Sequence, residues 1–119
     1  MKLNGLTVEA ADGLHDDDWC WPTTRLTLKA DKDAEALLVG LWIKPEAQAG
    51  GRAMFTVSVG GATPVAQFIN FDQPSEIVVP FKWAKSQVVS VKITTQHRAS
   101  RSPEEKRDLS FSLMRLSAE

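Results

Sequence analysis

Alternation between polar and apolar residues is the feature that most limits how this chain can fold. Successive side chains of a β-strand point to opposite faces of the sheet, so an alternating segment forms a strand with one apolar and one polar face. The apolar positions hold mainly Val, Ile, Leu and Phe, which suit a pleated, half-buried surface. Four segments follow this pattern: residues 25–30, 55–59, 89–93 and 109–113.

Other segments complete the set of predicted strands. Residues 36–43 are apolar on both faces, which is typical of a central or covered strand. Residues 65–71 and 77–81 are less regular, and residues 3–10 form a plausible first strand. Pro80 cannot donate a hydrogen bond to a ladder and therefore favours an edge strand. Gly60 and Gly61 fit a tight hairpin, because glycine accepts a positive φ.

Together these segments predict an all-β fold. The helical signal is limited to one possible turn at residues 103–107, with Ser102 as its N-cap. A chain of 119 residues has the length of one domain. We therefore expect a single domain over residues 1–119, built as an antiparallel two-sheet β-sandwich that is jelly-roll-like and has about eight strands. A smaller barrel is the alternative arrangement.

Composition and motifs exclude several functional classes. The 14 Lys and Arg residues stand against 15 Asp and Glu residues, and a formal net charge of -1 excludes a strongly basic nucleic-acid binder. The longest apolar run has eight residues, too few for membrane insertion. The first residues carry no apolar signal segment and there is one cysteine, so we expect a cytoplasmic protein. No catalytic or nucleotide-binding motif is found, so we predict a protein that is not an enzyme and takes no metal or cofactor.

Residues 13–22 interrupt the alternation and concentrate unusual residue types. Trp19 and Trp21 can stack on the apolar C–H face of a sugar ring, or they can cap one end of the core. Asp16, Asp17 and Asp18 can contribute oxygen ligands to Ca²⁺, or they can form a solvated acidic loop. Because loops on a rigid scaffold often carry function, this segment is the first candidate for a ligand-binding region.

A second polar segment, residues 96–108, precedes the last predicted strand. His97, Arg98 and Arg101 are three hydrogen-bond donors close together in sequence, and they can bind a carboxylate or phosphate group of a ligand. The alternative is a solvated loop. The acidic first third of the chain and this basic segment can also meet at one end of the sandwich, where exposed ion pairs contribute little stability each.

The sequence also predicts the surroundings of two further tryptophans and of the cysteine, for which a reactive thiol is the alternative. Trp42 alternates with Leu41 and Ile43, so it lies on the opposite face of its strand, either as an exposed platform or covered by the N-terminal strand. Trp83 is expected at the rim of the fold. Cys20, between two tryptophans, is expected to be a small buried hydrophobic residue.

Four motifs of the chain resemble a known group of domains. They are GLHDDDW at residues 13–19, LTL at 26–28, LWIKP at 41–45 and RDLSFSL at 107–113. Together they are similar to the small β-sandwich, carbohydrate-binding-like domains attached to bacterial glycosyltransferases. The resemblance implies a β-sandwich fold and a non-catalytic role beside a sugar-transferring enzyme. The chain differs from that group in its denser acidic loop and in the cysteine after the first tryptophan.

Three functional hypotheses follow. The first is a non-catalytic, carbohydrate-binding-like accessory module of bacterial surface-polysaccharide assembly, with a saccharide as ligand and a glycosyltransferase as partner or fusion. The second is a protein–protein interaction or self-assembly domain, which would use an exposed Trp42 face or an edge strand near Pro80. The third is a metal-dependent enzyme built on His15 and the three aspartates. The first hypothesis assigns ring stacking to three tryptophans and hydrogen bonding to five polar residues, namely Trp19, Trp21, Trp42, Asp16, Asp18, His97, Arg98 and Arg101.

Overall fold

The protein is an all-β domain in a computed structural model, which describes residues 1–44, 51–99 and 103–119. Nine strands are present in these ranges, and the alternating segments of the sequence all lie within strands or directly before one. In chain order they are β1 Lys2–Asn4, β2 Leu6–Leu14, β3 Trp19–Ala30, β4 Ala34–Trp42, β5 Arg52–Val59, β6 Val65–Asn70, β7 Ser75–Trp83, β8 Val88–Thr95 and β9 Phe111–Ala118.

The strands form one mostly antiparallel sheet in the order β6-β5-β8-β3-β9-β4-β7, with β2 added beside β3 and β1 added in parallel beside β9. The sheet curls until its two end strands approach each other, and the Gln67 side chain in β6 donates a hydrogen bond of 3.2 Å to the Glu76 carbonyl in β7. The shape is therefore barrel-like and nearly closed.

The predicted all-β class is confirmed, whereas a division into two separate sheets is not. Strand β3 continues the ladder from one part of the sheet to the other: Thr23 to Lys29 pair with β8, and Trp19 and Cys20 pair with β9. The number of strands is nine instead of about eight, because the predicted first strand is divided. Gly5 has a φ of +71°, and there the chain leaves β9 and joins β3.

The core is formed by the apolar positions of the alternating segments. Phe55 of β5 and Phe111 of β9 meet edge to face with ring centroids 5.1 Å apart, which joins distant strands across the interior. Hydrophobic burial of this kind provides the main favourable free energy of folding. The largest fully buried side chains are Trp83, Phe55, Phe111, Leu26, Leu28, Leu37, Leu41, Ile43, Ile69, Ile77, Ile93 and Leu113.

Strand β7 confirms one prediction and corrects another. It is an end strand of the sheet, as Pro80 indicated. Trp83, expected at the rim, is only 1% exposed and packs edge to face on Phe81 at 4.9 Å. The reason is the strand alternation, because Trp83 follows Ile77 by six residues and Val79 by four, and it therefore lies with them on the inward face.

No helix within residues 1–44, 51–99 and 103–119 is long and apolar enough to cross a membrane.

Candidate functional site

A row of three side chains crosses the outer surface of three neighbouring strands. Ser112 of β9 lies opposite Trp19 of β3 on one side and opposite Trp42 of β4 on the other. Its small side chain leaves room for the two indoles to meet edge to face, with centroids 6.2 Å apart and an interplanar angle of 69°. Both indoles are half-buried, so neither is sealed in the core nor fully exposed. We call Trp19, Ser112 and Trp42 the tryptophan row.

The acidic turn before β3 holds Trp19 in place. The amide of His15 donates to the Trp19 carbonyl at 2.8 Å, and the amide of Asp18 donates to the His15 carbonyl at 2.9 Å. Asp18 has a φ of +68°, a conformation that Asp tolerates better than most residues. The Asp17 carboxylate accepts a hydrogen bond of 3.3 Å from the Trp19 amide. The aspartates therefore form a hairpin turn that fixes the start of β3.

The acidic turn and the basic segment meet, as the charge distribution predicted. Arg107 binds Asp17 with an Nη1–Oδ2 distance of 3.0 Å and binds Glu105 through two hydrogen bonds of 2.9 Å. These bonds lower the pKa of Glu105 to about 2. Burial alone would raise the pKa of Asp17, but the hydrogen bonds from Arg107 and from the Trp19 amide bring it below its ordinary value. Sequence reasoning assigned no role to Arg107, although its position in a basic segment was the available signal.

Trp21 is the most exposed of the four tryptophans, at 41%. It lies in an irregular part of β3, where the pairing with β2 shifts between Asp12 and Leu14. The Thr24 hydroxyl donates a hydrogen bond of 3.1 Å to the Trp21 carbonyl. The indole contacts the His15 ring edge to face at 5.9 Å. Cys20 and Thr24 are buried on the inner face, so the alternation of the strand places Trp21 on the outer face, at the point where β3 passes from β9 to β8.

The remaining predicted residues have different surroundings. Asp16 is exposed in the turn, and the Asp18 carboxylate contacts the amino group of Met1. His97 packs on the Phe71 ring at 5.0 Å, and Arg98 forms an exposed ion pair with Asp108, the last residue of the basic segment 96–108.

Arg101 lies outside the described residues. The eight predicted residues therefore do not all gather at one point: Trp19 and Trp42 meet in the tryptophan row, Trp21 stands beside that row on β3, and His97 lies in a separate groove.

This groove is the surface that sequence reasoning missed. Its volume is about 700 Å³ and it runs over the outer face of β5 and β8. Thr94 of β8 lies opposite Thr23 of β3 and opposite Thr56 of β5, so three threonines stand side by side. The available signal was the set of polar positions in the alternating segments. We call this surface the threonine groove. It is lined by Arg52, Ala53, Met54, Thr56, Thr94, Thr95, Gln96 and His97.

The geometry bears on two alternatives from the sequence, a reactive Cys20 thiol and a metal site in the acidic turn. Burial raises the pKa of the Cys20 thiol to about 12, which fits its predicted role as a buried hydrophobic residue and disfavours a thiolate nucleophile. Among the residues that the structure describes, no group of three or more His, Cys, Asp or Glu side chains is placed to hold a metal ion.

Comparisons of the chain with protein-family models, with curated proteins and with solved structures found no significant match.

Proposed function

We propose that the protein is a non-catalytic, carbohydrate-binding-like accessory module. The observation that carries this proposal is the exposed Trp21 indole beside the half-buried Trp19 and Trp42 pair. A pyranose ring has an apolar C–H face that can stack on an indole, and the indole N–H and nearby polar groups can hydrogen-bond to its hydroxyls. The strand bulge and the Arg107 ion pairs support the proposal, because they hold these rings on a fixed scaffold.

The expected affinity is weak. One stacked ring and a few solvent-exposed hydrogen bonds leave a small surplus over the cost of ordering the ligand and the side chains. Such affinity suits a module that keeps an enzyme near a polymer with many copies of the same sugar. We therefore keep the glycosyltransferase of bacterial surface-polysaccharide assembly as the proposed partner or fusion, with the cytoplasm as the proposed location.

The proposal includes the jelly-roll-like arrangement of two sheets. The pairing divides the strands into one group of β6, β5, β8, β3 and β2 and another of β1, β9, β4 and β7. Within the described residues, the ladder between these groups has two register pairs, Trp19 with Ser112 and Cys20 with Phe111. A nearly closed sheet with such a short link can pack as two layers over the common core.

The test is a titration of the protein with a panel of neutral and acidic oligosaccharides, in which calorimetry and tryptophan fluorescence measure binding. We expect millimolar or tighter binding of at least one saccharide, and a loss of roughly tenfold in affinity for Trp21→Ala from the lost ring contact. Met114→Ala is the control, because Met114 is 44% exposed and lies on a different strand, β9. This variant should bind the saccharide with the same affinity as the unmodified protein. Binding of no saccharide, or equal affinity in Trp21→Ala, would contradict the proposal.

A second candidate is a self-assembly domain. The observation in its favour is that β6 and β7 are the end strands of the sheet and expose large apolar side chains, with Phe68 and Val78 each 50% accessible. Exposed strand edges can pair with another chain. The oligomeric state tests this alternative.

A further inference from the structure

We propose that the threonine groove is a subsite for the anionic group of an acidic saccharide, such as the carboxylate of a uronic acid. This inference rests on the proposed saccharide binding and adds the class of sugar. It is carried by three features of the outer face of β3, β8 and β5: cations beside the groove, an arginine that is held over an aromatic ring at the groove, and a row of hydroxyl groups.

The first feature is a concentration of positive charge on a chain whose net charge is -1. Lys92 of β8 lies directly opposite Arg25 of β3, and like charges in that position destabilise a sheet. Asp12 of β2 lies opposite Arg25 on its other side and offsets part of this repulsion. Within the described residues, no salt bridge involves Lys92, Arg25 or Arg52. Arg25 and Lys92 line a neighbouring hollow on the same outer face and not the groove itself, so they add positive charge beside the groove.

The second feature is the arginine at the groove. The Arg52 guanidinium lies over the Phe68 ring, 4.1 Å from its centroid. Stacking on the ring restricts the side chain and leaves the edge of the guanidinium free to donate hydrogen bonds. Such an edge matches a carboxylate, which can accept two parallel N–H donors. Among the described residues that line the groove, none is acidic.

The third feature is the threonine row of Thr23, Thr94 and Thr56. Neighbouring strands are about 4.8 Å apart, so the three positions span about 10 Å across the sheet. All three residues are partly accessible. A hydroxyl group both donates and accepts hydrogen bonds, and it can therefore pair with sugar hydroxyls in either direction.

The position of Trp21 connects the groove with the proposed stacking site. Thr23 follows Trp21 by two residues on β3, a separation of at most about 7 Å along a strand. A saccharide of a few units that stacks on Trp21 can therefore reach the threonine row. We favour a saccharide over a nucleic acid, because sequence-independent binding of a phosphate backbone depends on many cations and this face has few.

The test compares a neutral and a uronic-acid oligosaccharide of equal length at low salt. We expect the acidic ligand to bind at least fivefold more tightly, and this preference to decrease as salt is added. The double variant Arg52→Gln with Lys92→Gln should lose the preference and keep the binding of the neutral ligand. The control is Lys82→Gln with Lys85→Gln, which removes the same charge from exposed positions that line neither the groove nor the neighbouring hollow of Arg25 and Lys92, and it should keep the preference. Circular dichroism checks that both variants are folded.

The outcomes separate this inference from the proposed function. Trp21-dependent binding with equal affinity for both ligands, or equal loss of preference in both double variants, overturns the anionic subsite alone. Absence of binding to either ligand overturns the subsite together with the saccharide proposal. A single-stranded oligonucleotide is the third ligand, and tighter binding of it than of the acidic saccharide, lost in the Arg52 and Lys92 variant, also overturns the proposal.

Discussion

At the scale of single residues, Arg107 determines how the acidic turn is held against the rest of the fold. It contacts Asp17 in the turn and Glu105 in its own segment, so one guanidinium group binds two carboxylates. All three side chains are partly exposed, at 36% for Arg107, 49% for Asp17 and 26% for Glu105, and exposed ion pairs of this kind contribute modestly to stability. Their effect is best seen in the dependence of stability on pH.

Replacement of Glu105 by Gln should reduce the acid sensitivity of the protein. The pKa of Glu105 is about 2 in the folded protein, below its ordinary value of 4.5. Its stabilising contribution is therefore fully present above about pH 4.5 and is lost as the pH falls towards 2. Urea unfolding at pH 7, 4 and 2.5 should show a smaller loss of stability in Glu105→Gln than in the unmodified protein. Glu104→Gln is the control, and an equal effect of both variants would contradict the assignment to the Arg107 pair.

At the scale of secondary structure, the β2–β3 hairpin depends on the glycine at its irregular end. Gly13 has a φ of +82°, and a Cβ atom at this position would lie 2.5 Å from the Thr23 carbonyl oxygen. The Thr24 hydroxyl also lies 3.3 Å from the Gly13 carbonyl. The close approach of the two strands lies in the irregular part of their pairing, next to Trp21, so a backbone requirement and the candidate site are linked.

Replacement of Gly13 by Ala should destabilise the protein by about 3 kcal/mol, because the residue would be strained and would collide with backbone atoms. Gly61→Ala is the matched control. A Cβ at Gly61 meets no atom within 4 Å, so a change within about 1 kcal/mol is expected. Chemical denaturation at neutral pH measures both free energies of unfolding. Equal stability of the two variants would show that the hairpin does not need this glycine.

At the scale of the whole molecule, the sheet closes far enough to protect its end strands. The hydrogen bond from Gln67 to the Glu76 carbonyl bridges β6 and β7, and Pro80 removes one donor from the edge of β7. These features oppose pairing with a second copy, even though Phe68 and Val78 are exposed.

The chain should therefore be a monomer in size-exclusion chromatography with light scattering at concentrations up to about 100 μM, which lies within the micromolar-to-millimolar range where unpaired strand edges associate. A dimer would favour the self-assembly alternative if Val78→Lys, on the end strand β7, made it monomeric. Val88→Lys is the control for this variant, because Val88 is 54% exposed on the interior strand β8. A dimer that Val78→Lys, but not Val88→Lys, converts into a monomer would remove the main argument for a free monomeric binding module.

The local alternation of side chains determined most of the strands and of the core. Phe55, Val57 and Ile93 are fully buried, as the period of two predicts, because side-chain direction in a strand depends on the backbone alone. The same rule could have placed Trp83 inside. The exposure of Trp21 was left open, because the strand period gives the face of a side chain but not whether another part of the chain covers that face.

The sequence by itself determined that this protein is built from strands, where most of them lie, and that an acidic turn precedes a pair of tryptophans. Only the tertiary structure decided which strands are neighbours, and therefore that Ser112 separates Trp19 from Trp42 and that Thr94 stands between Thr23 and Thr56. The physical reason is that a strand's own residues fix which face each side chain occupies, whereas the neighbour across the ladder comes from a distant part of the chain and is chosen by closure of the common core.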